Sequence, residues 1–309
     1  MQQPVAYIDG RFVPQAEAAV PFVDAGFVLG AAVSEQLRTV NGEVFLLAEH
    51  LERLRLSART TGIELPQTDV ELEQIVRELV ARNWPLAASG GDLGISIVLT
   101  PGIYSSFARE REPRPALYLH TYELPFARFQ RLYTRGQSLV VVDVRQVPET
   151  CWPRSLKCRS RMHYHLADQQ ARAHDPDARA LLLDQDGTVN ETSTASVLLH
   201  LPGAGLVAPP SERVLPGITL DFVRGLAAGL GVSYAERDIA PSELHSADEI
   251  LLTSTPFGIA PACRVDGKMI GDGKPGSMFT RLLRAFGEAV GIDLARQAAQ
   301  MAGVAPEAE

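Results

Sequence analysis

Lysine is almost missing from this chain. Of 29 basic residues only three are lysine (Lys157, Lys268 and Lys274), leaving 26 arginines. Chemistry that needs a primary amine therefore has three positions to choose from. Cysteine is scarce too: Cys151, Cys158 and Cys263 make neither an even framework nor a CxxC pair, which argues against a disulfide scaffold and for a reducing compartment. No apolar run reaches membrane-spanning length and no basic-then-apolar segment opens the chain. Neither membrane insertion nor secretion is expected, and the cytoplasm is the expected location. Positive charge is in deficit, with a net charge of −8 and a pI of about 5.5. Such a surface does not attract nucleic acid or acidic lipid, so a phosphate-bearing ligand would need a local pocket of donors. The 46% hydrophobic share over 309 residues is ample for a buried core.

What is present reads as mixed helices and strands. Ala6 to Pro14 is a hairpin turning at Asp9-Gly10. Leu47, Leu51, Leu54 and Ala58 recur at helical spacing and Gly62 stops the pattern, predicting a helix over 46–62. A second helix is expected over 69–82, strands over 93–99 and 116–122, and a polar loop from Pro101 to Pro115 between them. Leu124 to Gly136 reads as a connector. Beyond it come a strand over 138–145, a helix over 162–174, and a hairpin whose arms are 180–184 and 189–201. Helices over 218–230 and 279–290 and a strand over 249–253 complete the pattern. The expected class is α+β or mixed α/β in two domains: a small domain over 1–123, a connector over 124–136, a larger domain over 137–295, and a flexible tail over 296–309.

Several short segments carry chemistry. Lys157 precedes a stretch rich in arginine and histidine, and Arg159 and Arg161 would help strip its proton. Lys268 and Lys274 sit in glycine-rich turns where water would surround them. Read alone, Lys157 is equally a solvated lysine in a basic stretch. Gly217-Ile218-Thr219, following Leu215-Pro216, offers free N–H groups and a hydroxyl at a helix start, a ready phosphate site or simply a capped helix. Ser254 and Thr255 close a strand with hydroxyls that complete a phosphate cup or merely shape a turn. Arg53 follows His50 by one turn, off the leucine stripe, where a guanidinium clamps phosphate or faces water. Glu191 stands where the second hairpin re-enters the core, placed to hold a protonated pyridine nitrogen or to meet solvent. No metal site is expected.

Taken in order, these segments resemble the class IV (fold type IV) pyridoxal-phosphate enzymes, which include branched-chain and D-amino-acid aminotransferases and aminodeoxychorismate lyase. The likeness starts at Asp24 to Gly30 and Glu35 to Thr39, runs through His50-Leu51-Glu52-Arg53-Leu54 with Ser57-Ala58, and ends in the glycine loop 270–276 and the helix after it. The resemblance implies a small α/β domain, a larger pseudo-barrel domain and a homodimer. It puts the Schiff-base lysine on Lys157, the phosphate arginine on Arg53, and the ring-nitrogen glutamate on Glu191. Ser193 falls in the polar turn after that glutamate. Gly217, Ile218, Thr219, Ser254 and Thr255 fall in the phosphate cup.

The resemblance implies amino transfer between an amino acid and a 2-oxo acid, with pyridoxal 5'-phosphate as cofactor. The alternatives are a lyase of the aminodeoxychorismate type and a cofactor-binding protein without catalysis. This chain departs from its relatives around the substrate. Ala32-Val33-Ser34 replaces a pattern that ends in an aromatic residue, so Ser34 stands where a ring commonly lines the pocket. The arginine and histidine that trap the carboxylate in D-amino-acid aminotransferases have no counterpart in 103–108, which leaves Tyr104 in that segment. Carboxylate recognition is then expected to pass to Arg159 or Arg161.

Overall fold

The computed structural model describes residues 3–108 and 114–304, and these divide into two compact units. Unit 1 comprises the chain up to Leu124 together with Ser155–Ser160; unit 2 comprises Pro125–Arg154 and the chain from Arg161 onward.

Unit 1 is a six-stranded antiparallel sheet backed by two helices. Strands β1 (Val5–Ile8) and β2 (Arg11–Pro14) form the expected hairpin, with Asp9 and Gly10 both at positive φ as its two-residue turn demands. A single helical turn, α1 (Ala25–Val28), is capped by the Asp24 side chain. Then follow β3 (Val33–Val40), β4 (Glu43–Val44), helices α2 (Leu47–Thr61) and α3 (Asp69–Asn83), β5 (Leu93–Thr100) and β6 (Ala116–Glu123). The sheet order is β2-β1-β6-β5-β3-β4. Helix α3 starts at a Thr68/Glu71 capping box, and α2 ends at Gly62 in the left-handed region. Leu37, Ile95, Ile97 and Leu99 of the sheet bury against Leu47, Leu51 and Leu54 of α2 and Leu72, Val76 and Leu79 of α3. Val33, Glu35 and Leu37 alternate onto one face of β3, so Glu35 shares that apolar layer. Part of the expected 101–115 loop, residues 109–113, lies outside the described residues.

Unit 2 begins with a helix where a connector was expected: α4 (Phe126–Arg135) buries Phe126, Phe129, Leu132 and Tyr133. The elements after it are β7 (Gln137–Arg145), α5 (Met162–His174), β8 (Arg179–Leu183), β9 (Val189–Thr192), β10 (Ser196–Leu201), β11 (Gly205–Ala208) and α6 (Ile218–Gly229). The chain closes with β12 (Tyr234–Glu236), β13 (Glu249–Ser254), β14 (Gly258–Val265), β15 (Lys268–Met269), α7 (Ser277–Val290) and α8 (Leu294–Met301). The mixed sheet runs β12-β11-β10-β13-β14-β7-β8-β9, with β15 paired to β14. The step from β7 through α5 to β8 is a parallel crossover, sealed by Ala167 and Ala171 of α5 against Val140, Val142, Ala180 and Leu182.

Three further expectations change. The second arm of the 180–201 hairpin is two strands, because the Thr192 side chain bonds both the N–H and the carbonyl of Ala195 and breaks the ladder between β9 and β10. The expected tail over 296–309 is helical as far as Met301, with Leu294 and Ala298 buried; residues 305–309 lie outside the described residues. And Ser155–Ser160, expected inside the larger domain, cluster with unit 1. The excursion between β7 and α5 pairs with β3: Ser34 N–H donates to Lys157 O at 2.9 Å and Arg159 N–H to Ala32 O at 2.8 Å.

Candidate active site

In unit 1 the chemistry gathers along α2. His50, Arg53 and Ser57 follow one another at three- and four-residue spacing, so they form a polar stripe beside the leucines. Arg53 grips Glu35 with two donors, Nε to Oε1 at 2.7 Å and Nη2 to Oε2 at 2.8 Å, and His50 Nδ1 lies 2.8 Å from Oε2. Glu35 and His50 are wholly buried. Burial pushes the Glu35 carboxyl up, but the Arg53 charge and the hydrogen bonds from Arg53 and His50 outweigh it and hold the group at about 2. Burial lowers His50 and the Arg53 and Lys157 charges lower it further, while Glu35 pulls the other way. The net result is a neutral imidazole beside an ionised carboxylate.

Lys157 belongs to the same cluster. Its carbonyl is fixed to β3 through Ser34, its N–H donates to Ser57 Oγ at 3.2 Å, and its charge is felt at His50. Leu156 packs into the unit 1 core beside it. Ser34 is buried in β3. Arg159 donates through Nη2 to Ser96 Oγ at 3.3 Å. Tyr104 stacks edge-on with Phe107 at 5.5 Å, and its N–H donates to Val23 O.

Unit 2 assembles the remaining expected residues. Glu191 is buried, and its Oε1 accepts from Tyr164 OH at 2.6 Å and Gln146 Nε2 at 2.8 Å. Burial first, then the negative charge of Glu191, keeps the Tyr164 phenol protonated well above its ordinary range. Ser193 donates to Asp168 Oδ2 at 2.9 Å. The Ser193 carbonyl receives Arg161 Nη2, and the Arg161 guanidinium lies 4.4 Å above the Tyr164 ring. Arg159 and Arg161, paired by sequence proximity, thus serve different neighbourhoods.

Two of the residues expected to hold phosphate, Thr219 and Thr255, lie side by side. Thr219 Oγ1 and Thr255 Oγ1 are 3.3 Å apart and both residues are buried. Gly217 precedes the first turn of α6, where no side chain among the described residues caps the N–H groups of Ile218 and its neighbours. A Cβ at Gly217 would sit 2.8 Å from Ser196 Oγ, so the approach is kept open by glycine. Uncapped amides plus two adjacent hydroxyls are the donors that phosphate oxygens accept from. Ser254, by contrast, spends its hydroxyl on Thr194 O at 2.8 Å. The late glycine loop leads into α7, whose first amides are taken by Glu249. Tyr164, Gln146 and Asp168 carried no local sequence signal of their roles, because each acts through a partner distant in the chain. Among the described residues, no cluster of histidine, cysteine, aspartate or glutamate suits a metal ion.

Unit 2 thus carries a buried glutamate with tyrosine and amide donors and a hydroxyl-lined helix start, and unit 1 a lysine pinned by its backbone. The family model described as Amino-transferase class IV matches residues 32–265, and this chain belongs to that family. It is 29% identical over 281 residues to a putative branched-chain-amino-acid aminotransferase of Methanocaldococcus jannaschii, covering 91% of this chain and 94% of that one. It is 28% identical over 277 residues to a D-alanine aminotransferase of Bacillus licheniformis, covering 87% and 91%. Its fold matches the T.th. branched-chain amino acid aminotransferase with pyridoxamine 5'-phosphate at a TM-score of 0.81 and 26% identity, over 94% of this chain and 95% of that one. The enzyme is a fold type IV aminotransferase, and its cofactor is pyridoxal 5'-phosphate. Its substrates are an amino acid and a 2-oxo acid.

Proposed function

We propose that Lys157 is the amine that carries the cofactor and moves the proton, in an enzyme that takes amino groups from donors with uncharged aliphatic side chains. The observation that carries this reading is the backbone of Lys157: tied to Ser34 on one side and to Ser57 on the other, it rides on the helix that bears Arg53. When bound, pyridoxal phosphate supplies a carbonyl carbon that accepts the amino group and a ring that draws electrons from the substrate Cα. Thr219 and Thr255 hydroxyls, the Ile218 N–H and the Arg53 guanidinium hold the phosphate. Glu191 keeps the ring nitrogen protonated, its charge oriented by Tyr164 and Gln146. Lys157 Nζ takes the proton from the substrate Cα as general base and later returns one as general acid.

The names of the relatives, branched-chain and D-alanine aminotransferases, support an aliphatic donor. So does Ser34, which leaves out a bulky side chain beside Lys157. Arg159 or Arg161 receives the substrate carboxylate. The active form is a homodimer in the cytoplasm. Phe22, Phe27 and Phe107 are 83%, 66% and 52% exposed, an apolar display that a second copy would cover. Among the described residues no helix is long and apolar enough to cross a membrane.

The test is borohydride reduction of the cofactor-loaded enzyme followed by peptide mass spectrometry. The adduct should sit on Lys157, and Lys157→Ala should lose both adduct and amino transfer from a panel of L- and D-donors to 2-oxoglutarate. An adduct on Lys268 or Lys274 refutes the assignment. Pyruvate release without glutamate formation points to elimination instead.

A further inference from the structure

Away from the residues assigned to catalysis, unit 2 holds a cavity of about 460 Å3 into which six arginines converge. Arg128, Arg131 and Arg135 come from one face of α4, Arg172 from α5, Arg179 from β8 and Arg264 from β14. We infer that this cavity is a second anion site, built for a triphosphate-bearing ligand of nucleotide size.

The arrangement is unlike an ordinary solvated charged face. Arg154, Arg213 and Arg237 each hold a carboxylate within hydrogen-bond distance. In the cavity Arg179 does so, through Asp168 at 3.0 Å. Among the described residues, Arg128, Arg131, Arg135, Arg172 and Arg264 have no ion-pair partner. Arg128 is half-buried, and burial together with the Arg179 and Arg131 charges disfavours its protonated form, with Asp168 offsetting part of this. The wall also contains an orphan: the Ser138 hydroxyl is closed off from solvent and has no hydrogen-bond partner among the described residues.

The frame is fixed by the sequence. Gly136, at φ +71°, turns the chain from α4 into β7, and a Cβ there would lie 2.3 Å from Cys263 Sγ. Only glycine brings the arginine-bearing end of α4 so close to β14. Ser138 and Arg264 are register partners on β7 and β14. The Gln137 side chain anchors the opposite rim by donating to Asp177 O at 2.7 Å.

Charge and volume choose the ligand. Six guanidinium groups against the lining carboxylates Asp175 and Asp177 and the Asp168 that pairs with Arg179 leave three net positive charges, on a protein whose net charge is −8. A nucleoside triphosphate carries nearly the matching charge. Cavities of roughly 300–1,000 Å3 suit small molecules rather than protein segments. Guanidinium forks take phosphate oxygens in pairs, which a lysine patch cannot do.

The cofactor-loaded enzyme, with its phosphate cup already filled, should be titrated calorimetrically with ATP and, separately, with inorganic tripolyphosphate at low salt. Saturable binding of one ligand per chain is expected, weakening steeply as salt rises. Arg172→Gln and Arg131→Gln, both at exposed positions, should each weaken it by about tenfold while amino transfer without ligand stays unchanged. Arg128→Gln should weaken it at least as much. ATP binding more tightly than tripolyphosphate shows that the base contributes; equal affinities assign the site to the triphosphate alone, and either result supports it. The inference falls if neither ligand saturates the enzyme at millimolar concentration, or if the arginine variants bind as wild type does. It also falls if Arg131→Glu changes the particle mass by light scattering, because the face is then a contact between copies of the chain.

Discussion

Replacing Glu35 by glutamine removes one charge from a cluster that water cannot reach. Glu35 and His50 are wholly buried, and Arg53 directs two donors at the lost carboxylate. The carboxyl is held at about 2 in the folded chain against an ordinary 4.5. That difference corresponds to roughly 3 kcal/mol of stability at about pH 7. Breaking a buried pair by removing one partner costs about 3–5 kcal/mol, which agrees. The sign follows from the depressed value: the contribution is complete above 4.5 and is lost as pH falls toward 2. Near pH 3 less than half should remain, about 1.4 kcal/mol. His50 adds a separate, earlier loss. Burial depresses it below its ordinary 6.5, so the stability of its neutral form declines as pH drops below that value. Thermal unfolding of Glu35→Gln against wild type at about pH 7 should show a midpoint lower by roughly 5 °C. The same comparison near pH 3 should show less than half that gap. A variant as stable as wild type at neutral pH, or a gap that does not shrink on acidification, refutes the reasoning.

Other expectations concern the cofactor residues and the thiols. Thr219→Val and Thr255→Val should each weaken cofactor binding by about tenfold, read by equilibrium dialysis, since each removes a donor from a dianion. Gly217→Ala should do at least as much without touching any donor, because its Cβ meets Ser196 Oγ. Tyr164→Phe strips one of the donors from buried Glu191 and should cost roughly 1–3 kcal/mol in chemical denaturation. The same variant should leave the ultraviolet phenol titration of the folded enzyme unchanged, since that phenol stays protonated. Burial and then the Asp272 and Glu249 charges raise Cys263 to about 11, so a maleimide at neutral pH should label exposed Cys151 and spare Cys263 until the chain unfolds.

Much of the framework was legible because it is local. The leucine stripe of α2, the Asp9-Gly10 turn, the helix over 162–174 and the glycine before α6 are all written within a few residues of where they act. Helix α4 was within reach but disguised. Phe126, Phe129, Leu132 and Tyr133 carry the helical period, yet Pro125 and the arginines interleaved with them read as a solvated connector. The motifs of the candidate site were readable. Its partner residues were not: Glu35 meets Arg53, Tyr164 and Gln146 meet Glu191, and Ser57 meets Lys157 across separations that no periodicity records. Strand β3 escaped notice because Ser34, Glu35, Arg38 and Thr39 are buried polar residues, and the pattern expects apolar ones there.

Ser155–Ser160 is part of unit 1 but is made only after the first strand of unit 2. On the ribosome, the edge of β3 near Ala32 and Ser34 therefore waits with open hydrogen-bonding groups while β7 emerges. The contact that fixes Lys157 is among the most sequence-distant that unit 1 makes, so loop closure places it late in folding. An N-terminal fragment ending at Leu124 would keep its helices and hairpin yet expose that edge to other chains. Lys157, the amine proposed to carry the cofactor, is then among the last parts of its unit to be set in place.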